Sequence, residues 1–151
     1  MTRHTVLFLC TGNYYRSRFA EILFNSLAGA DCPDYVADSR GLLQDLSLNP
    51  GPISSHALAG LQERGIAPPD AMRYPQSLQI AELERAACII ALYEAEHRPL
   101  LERRFPSWAD RVEYWQIPDL DLATATVALA DIETQVRALI QRLMQQDREI
   151  E

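Results

Sequence analysis

Apolar residues fall along the chain in two patterns. Val6-Leu7-Phe8-Leu9 and Ala86-Ala87-Cys88-Ile89-Ile90-Ala91-Leu92 are short continuous runs, without the alternation of a half-exposed strand, so each predicts a strand buried on both faces. Tyr35 to Ser39, followed by a turn at Arg40-Gly41, and Val112 to Trp115 predict two further short strands. Elsewhere the spacing is helical. Phe19, Leu23 and Leu27, with Ala20 and Phe24 beside them, predict a first helix, and Ala57, Leu58 and Leu61 a second, capped by Ser54 or Ser55 and stopped at Gly65. Ser77 to Arg85 reads as helix, as does Glu94 to Phe105, broken or bent near Pro99. Ile132, Val136, Leu139, Ile140 and Leu143 give a terminal amphipathic helix from Ala125 to Gln146, leaving Asp147 to Glu151 as a frayed tail. Between these lie a loop marked by Gly29, Asp31, Pro33 and Asp34, and another from Leu42 to Pro52.

Strands alternating with helices imply right-handed crossovers and a parallel sheet covered on both sides, for which four strands suffice. No repeat, linker or low-complexity segment divides the 151 residues, so one domain spanning 1–151 is expected.

Composition narrows the setting. With 48% hydrophobic and 23% charged residues the chain is an ordinary globular one. Cysteines at 10, 32 and 88 have neither metal-ligand spacing nor an even count for disulfides, which points to a reducing cytoplasm. Met1-Thr2-Arg3-His4 leads into an apolar run too short for a signal peptide, and no stretch nears the ~20 apolar residues of a membrane span. A net charge of -7 argues against nucleic acid and anionic membranes as partners. Any anion site must therefore be locally positive, from Arg16 and Arg18 with Arg40 and Arg73 as further contributors.

The first strand stops at Cys10, and the chain turns through Thr11, Gly12, Asn13, Tyr14 and Tyr15 to Arg16 and Ser17, where helical spacing begins. Such a junction binds anions, because unpaired N–H groups and the positive end of a helix dipole converge there. The same field favours thiolate over thiol, and the thiolate is the nucleophile. Gly12 and Asn13 tolerate the positive φ that a tight loop needs if successive N–H groups are to point inward. Arg16 offers a planar fork for two phosphate oxygens, and Ser17 a hydroxyl for the sulfur.

Cys-X5-Arg-Ser after an apolar strand, with Gly12-Asn13 inside the loop and Asp119 far downstream, resembles the phosphate loop of the low-molecular-weight protein tyrosine phosphatases, over most of the chain. The corresponding fold is α/β, three-layer α/β/α, with a central four-stranded parallel sheet in the flavodoxin-like order 2-1-3-4. The resemblance implies a metal-independent phosphatase without cofactors, hydrolysing aryl phosphates through a phosphocysteine, with phosphotyrosine in proteins as the natural class. Cys10 would be the nucleophile, Arg16 the oxyanion clamp and Asp119 the general acid. Thr11, Gly12, Asn13, Tyr14, Tyr15, Ser17 and Ser39 would bind phosphate or support the loop, although Ser39 could equally just satisfy a turn. The partner would be a phosphorylated protein or a small aryl phosphate, not nucleic acid or membrane, acted on by a monomer or weak dimer.

Several positions depart from that pattern. The family's acid is usually followed by proline and aromatic residues, whereas here Leu120, Asp121 and Leu122 follow, leaving Asp121 as a rival to Asp119 and phosphotyrosine preference less secure. Tyr15 stands where a second cysteine is common, so oxidised Cys10 is expected to lack a rescuing thiol. Arg18 replaces a proline, and Asp70 a frequent histidine. Tyr14 and Tyr15 are packing residues or walls for a substrate ring. Cys32 and Cys88 read as inert, and His97 as a surface histidine. Two alternatives share the fold. One is a thioredoxin-coupled arsenate reductase, which needs two further relay cysteines; the other is a phosphate- or phosphopeptide-binding protein without turnover.

Overall fold

The computed structural model describes residues 3–150. At its centre β1 (His4–Cys10) lies between two parallel neighbours, β2 (Tyr35–Gly41) and β3 (Ala86–Ala91), and β4 (Glu113–Tyr114) extends β3 in the same direction. The order is β2-β1-β3-β4, the parallel 2-1-3-4 sheet expected. Register sets Cys10 beside Gly41 and Leu9 beside Ala91, so the sheet's carboxyl edge gathers the ends of three strands around the cysteine.

Alternation along β1 divides the interior. Val6 and Phe8 face a cluster with Phe19, Leu23 and Phe24 from α1 (Arg16–Ala28), Ala57 and Leu61 from α2 (Ser55–Glu63), and Ile132, Val136 and Leu139 from α5 (Ala125–Ile150). Leu7 and Leu9 face the other side, against Leu83 of α3 (Ile80–Arg85) and Leu101 of α4 (Glu94–Arg104), with Val112 beyond a 3₁₀ turn at Pro106–Arg111. Each fully buried leucine or phenylalanine is worth about 1.5–3 kcal/mol, so these two layers fix how α1 and α4 meet the ends of the central strands.

Four boundaries differ from expectation. β2 runs on through Arg40 and Gly41, because both pair with β1. The helix expected from Ser77 starts at Ile80: Ser77 bridges Gly41, the Leu78 N–H donates to the Gly41 carbonyl, and Gln79 caps α3 reciprocally with Glu82. Pairing at the sheet edge thus wins over helix propensity for those residues. α4 passes through Pro99 unbroken, and α5 continues to Ile150 where a tail was expected; Met1, Thr2 and Glu151 lie outside the described residues. Among the described residues no helix is long and apolar enough to cross a membrane.

Candidate active site

Cys10, Thr11, Gly12, Tyr14, Tyr15 and Arg16 line one hollow of about 390 Å³, and Leu43, Asn49, Ser54, Ser55, His56, Asp119 and Leu120 complete its lining. The Cys10 Sγ sits at its floor, 2.9 Å from the Ser17 hydroxyl. The backbone N–H groups of Gly12, Asn13, Tyr14 and Tyr15 have no acceptor among the described residues, the condition under which a loop can take an anion.

Within the loop Asn13 alone takes a positive φ, 52°; Gly12, expected to share that role, does not. Asn13 is completely buried and all four of its side-chain hydrogen-bonding capacities are used. Its Nδ2 donates to Ser17 Oγ at 3.0 Å and Ser39 Oγ at 2.9 Å, and its Oδ1 accepts from Arg73 Nη1 and the Gln76 N–H, both at 3.0 Å. Ser39 therefore holds the loop through Asn13. Gly41 is needed for the same approach: a Cβ there would lie 3.1 Å from the Thr11 carbonyl oxygen and 3.2 Å from Asn13. Asn49 adds a bond from its Nδ2 to the Gly12 carbonyl, 2.9 Å.

Arg16 is 2% exposed. Its Nη1 donates to the Ile117 carbonyl at 2.9 Å, and its Nη2 lies 2.7 Å from Glu96 Oε2 and 3.5 Å from Asp119 Oδ2. Of the two rival acids, Asp119 lines the hollow and Asp121 does not. Asp119 Oδ1 accepts the Leu120 N–H, and its backbone carbonyl accepts from Leu122 and Ala123, which anchors a half-exposed side chain at the rim. Tyr15 is 7% exposed and packs edge-on to His56, with ring centroids 6.2 Å apart; burial first, and Asp119 second, push its phenol above the usual range. Its hydroxyl has no partner among the described residues.

The other basic residues expected to brighten the site turn elsewhere. Arg18 is buried and pairs with Glu21 at 3.0 Å, Arg40 pairs with Asp38 and Glu82, and Arg73 braces Asn13 and Ser39. Arg16 is the one arginine lining the hollow. Asp70 is exposed, and the loop's support from that segment comes from Arg73 instead.

His97, read as a surface residue, is completely buried beneath the loop. Its Nδ1 accepts the Tyr93 N–H at 2.9 Å, and its Nε2 lies 3.0 Å from Glu96 Oε2 and 3.2 Å from Thr11 Oγ1. Burial lowers its affinity for a proton below the ordinary histidine range, and His97 leads the neighbours that hold Glu96 well below the usual carboxylate range, with Thr11 and Arg16 following. Glu94, Glu96 and Arg98 around it suggested solvent. Its place just beyond the carboxyl end of β3, on the edge where such sheets bind ligands, was the signal available.

Neither remaining cysteine reaches the hollow. Cys32 is buried, its Sγ 3.7 Å from the Ile140 carbonyl, and Cys88 pairs level with Val6, four residues or roughly 13 Å down β1 from Cys10. Burial pushes the Cys88 thiol up to about 11, with Glu113 adding to it. Both thiols are therefore poor relays.

Comparison with known proteins places this geometry. The family profile described as low molecular weight phosphotyrosine protein phosphatase matches residues 5–149. A protein-arginine-phosphatase of Bacillus subtilis (strain 168) is 27% identical over 145 residues, covering 93% of this chain and 92% of that one. A low molecular weight protein tyrosine phosphatase from T. tengcongensis superimposes with a TM-score of 0.72 at 28% identity, covering 95% of this chain and 99% of that one. An arginine phosphatase from Geobacillus stearothermophilus, at 23% identity, shares the fold with a TM-score of 0.73 over 97% of this chain and 96% of that one.

Proposed function

Because the chain belongs to the low molecular weight phosphotyrosine protein phosphatase family and is a phosphatase, we propose that it hydrolyses aryl phosphate monoesters, protein phosphotyrosine among them, through a phosphocysteine. The observation that carries this reading is one hollow lined by Cys10, Arg16 and Asp119 together, with unpaired loop amides at its floor. In the first step the Cys10 thiolate attacks phosphorus in line, the P–O bond to the aryl group breaks, and Asp119 gives its proton to the departing oxygen. Arg16 and the loop N–H groups hold the three equatorial oxygens, where fixed dipoles stabilise the charge of the transition state. In the second step Asp119, now a carboxylate, takes a proton from water as that water displaces sulfur. Inorganic phosphate leaves, and Ser17 donates to the released thiolate from 2.9 Å.

The walls favour an aryl group. Tyr14, Tyr15, His56, Leu43 and Leu120 present aromatic and apolar surface, and Asp119 is the one acidic residue among those lining the hollow. Phosphoarginine is the second reading, favoured by the Bacillus subtilis relative; its guanidinium would rely on Asp119 for a counter-charge. The three free cysteines support a reducing, cytoplasmic setting for a single domain.

The test is p-nitrophenyl phosphate, a phosphotyrosine peptide and phosphoarginine, each assayed with and without chelator. Hydrolysis of both aryl esters, unaffected by chelator, exceeding that of phosphoarginine and abolished by Cys10→Ser, is expected. A chelator-sensitive rate, or turnover that survives Cys10→Ser, would refute the mechanism; faster phosphoarginine hydrolysis would transfer the substrate to the second reading.

A further inference from the structure

Resting on that reading of Arg16, we propose that Glu96, held by His97, is a positioning residue that fixes the guanidinium and Thr11 at the two ends of the phosphate loop. One oxygen does this. Glu96 Oε2 receives the Arg16 Nη2–H at 2.7 Å and the Thr11 hydroxyl, and His97 Nε2 lies 3.0 Å from it while bonding Thr11 Oγ1 at 3.2 Å. The donors come from the start of α1 and from the first residue of the loop, and Glu96 belongs to α4, so a single acceptor pins both ends of the loop to that helix.

The direction of these bonds is fixed by the backbone. Because His97 Nδ1 accepts the Tyr93 N–H, the neutral ring must carry its proton on Nε2, facing Glu96 and Thr11. The imidazole therefore donates to the Thr11 oxygen, whose own hydroxyl donates to the carboxylate, and its burial keeps it in place. A guanidinium has five N–H groups. Glu96 and the Ile117 carbonyl engage one each, leaving Nε–H and one on each Nη, sufficient for two phosphate oxygens. Glu96 thus orients Arg16 without displacing substrate from it, and because Glu96 does not line the hollow it acts through Arg16. Such orientation matters because a planar fork has to meet the equatorial oxygens in one plane, whereas an ammonium need not.

The experiment is a double-mutant cycle of Glu96→Ala and Arg16→Lys, reading inorganic phosphate affinity by calorimetry and the kcat and KM of p-nitrophenyl phosphate. In the wild-type background Glu96→Ala is expected to weaken phosphate about tenfold and lower kcat on the order of 100-fold, the cost of a misplaced catalytic group. In the Arg16→Lys background the same change should cost less than about threefold, because residues acting as a unit are non-additive. Glu96→Gln keeps an oxygen for the Nη2–H and serves where alanine does not fold; a smaller loss with the same non-additivity is expected. Equal losses in both backgrounds, no loss in either, or tighter phosphate binding in Glu96→Ala would overturn the proposal. Phosphate affinity reads the cycle even without turnover, so a wild-type protein that binds phosphate but hydrolyses no ester would count against the proposed function alone.

Discussion

A single buried side chain sets the shape of the phosphate loop. Asn13 holds a left-handed backbone at φ 52°, which costs a non-glycine residue about 1 kcal/mol, and four hydrogen bonds to Ser17, Ser39, Arg73 and Gln76 offset it. Asn13→Ala removes those bonds and keeps the backbone penalty, so a loss of about 2–4 kcal/mol in urea unfolding is expected. Asn13→Gly removes the same bonds but relieves the backbone, and should be about 1 kcal/mol less destabilised. Equal losses, or less than about 1 kcal/mol for alanine, would show that Asn13 carries no such burden. The residues of this loop were legible in the sequence because their spacing is local and their chemistry unusual. Which of Gly12 and Asn13 would take the positive φ was not, since that choice is made by Arg73 and Gln76, some sixty residues away.

At the level of elements, the start of α4 is where sequence reading and structure part most. The strand–loop–helix unit β1–α1 announces itself by a continuous apolar run followed by helical spacing. The β3–α4 junction carries an equally clear strand, but Glu94, Glu96 and Arg98 give the helix a polar look all round, and nothing local says that one turn is pressed against the loop. Only tertiary packing makes Glu96 and His97 part of the site. Gly41 was hidden for a related reason, since its role is to admit the loop's backbone rather than to turn the chain. His97 also predicts an acid sensitivity. Its folded proton affinity is lowered by burial, so as pH falls below about 6.5 the unfolded chain takes up a proton that the folded chain refuses, and stability declines from there. Glu96, Asp38, Glu113 and Glu133 are likewise held below the usual range; their contribution is present above about pH 4 and lost as pH falls further. Urea midpoints should drop between pH 7.5 and 5.5 for the wild type, and the drop should shrink in His97→Gln. The same drop in both proteins would assign it elsewhere.

Across the whole molecule, an acidic chain of net charge -7 sets one arginine, Arg16, in the wall of the recess, while Arg18, Arg40 and Arg73 are spent on ion pairs. The parallel sheet brings the ends of β1, β2 and β3 to that recess, and the α/β order that does so was readable from the alternation of strands and helices. In the proposed mechanism one sulfur carries the phosphoryl group between two displacements. Rapid acid quenching of the enzyme during p-nitrophenyl phosphate turnover, followed by peptide mass spectrometry, tests it directly. A phosphoryl group on the peptide containing Cys10, formed as p-nitrophenol is released and absent from Cys10→Ala, is the predicted result. Steady release of p-nitrophenol with that peptide unmodified at every quench time, and with Cys10→Ala still active, would contradict it.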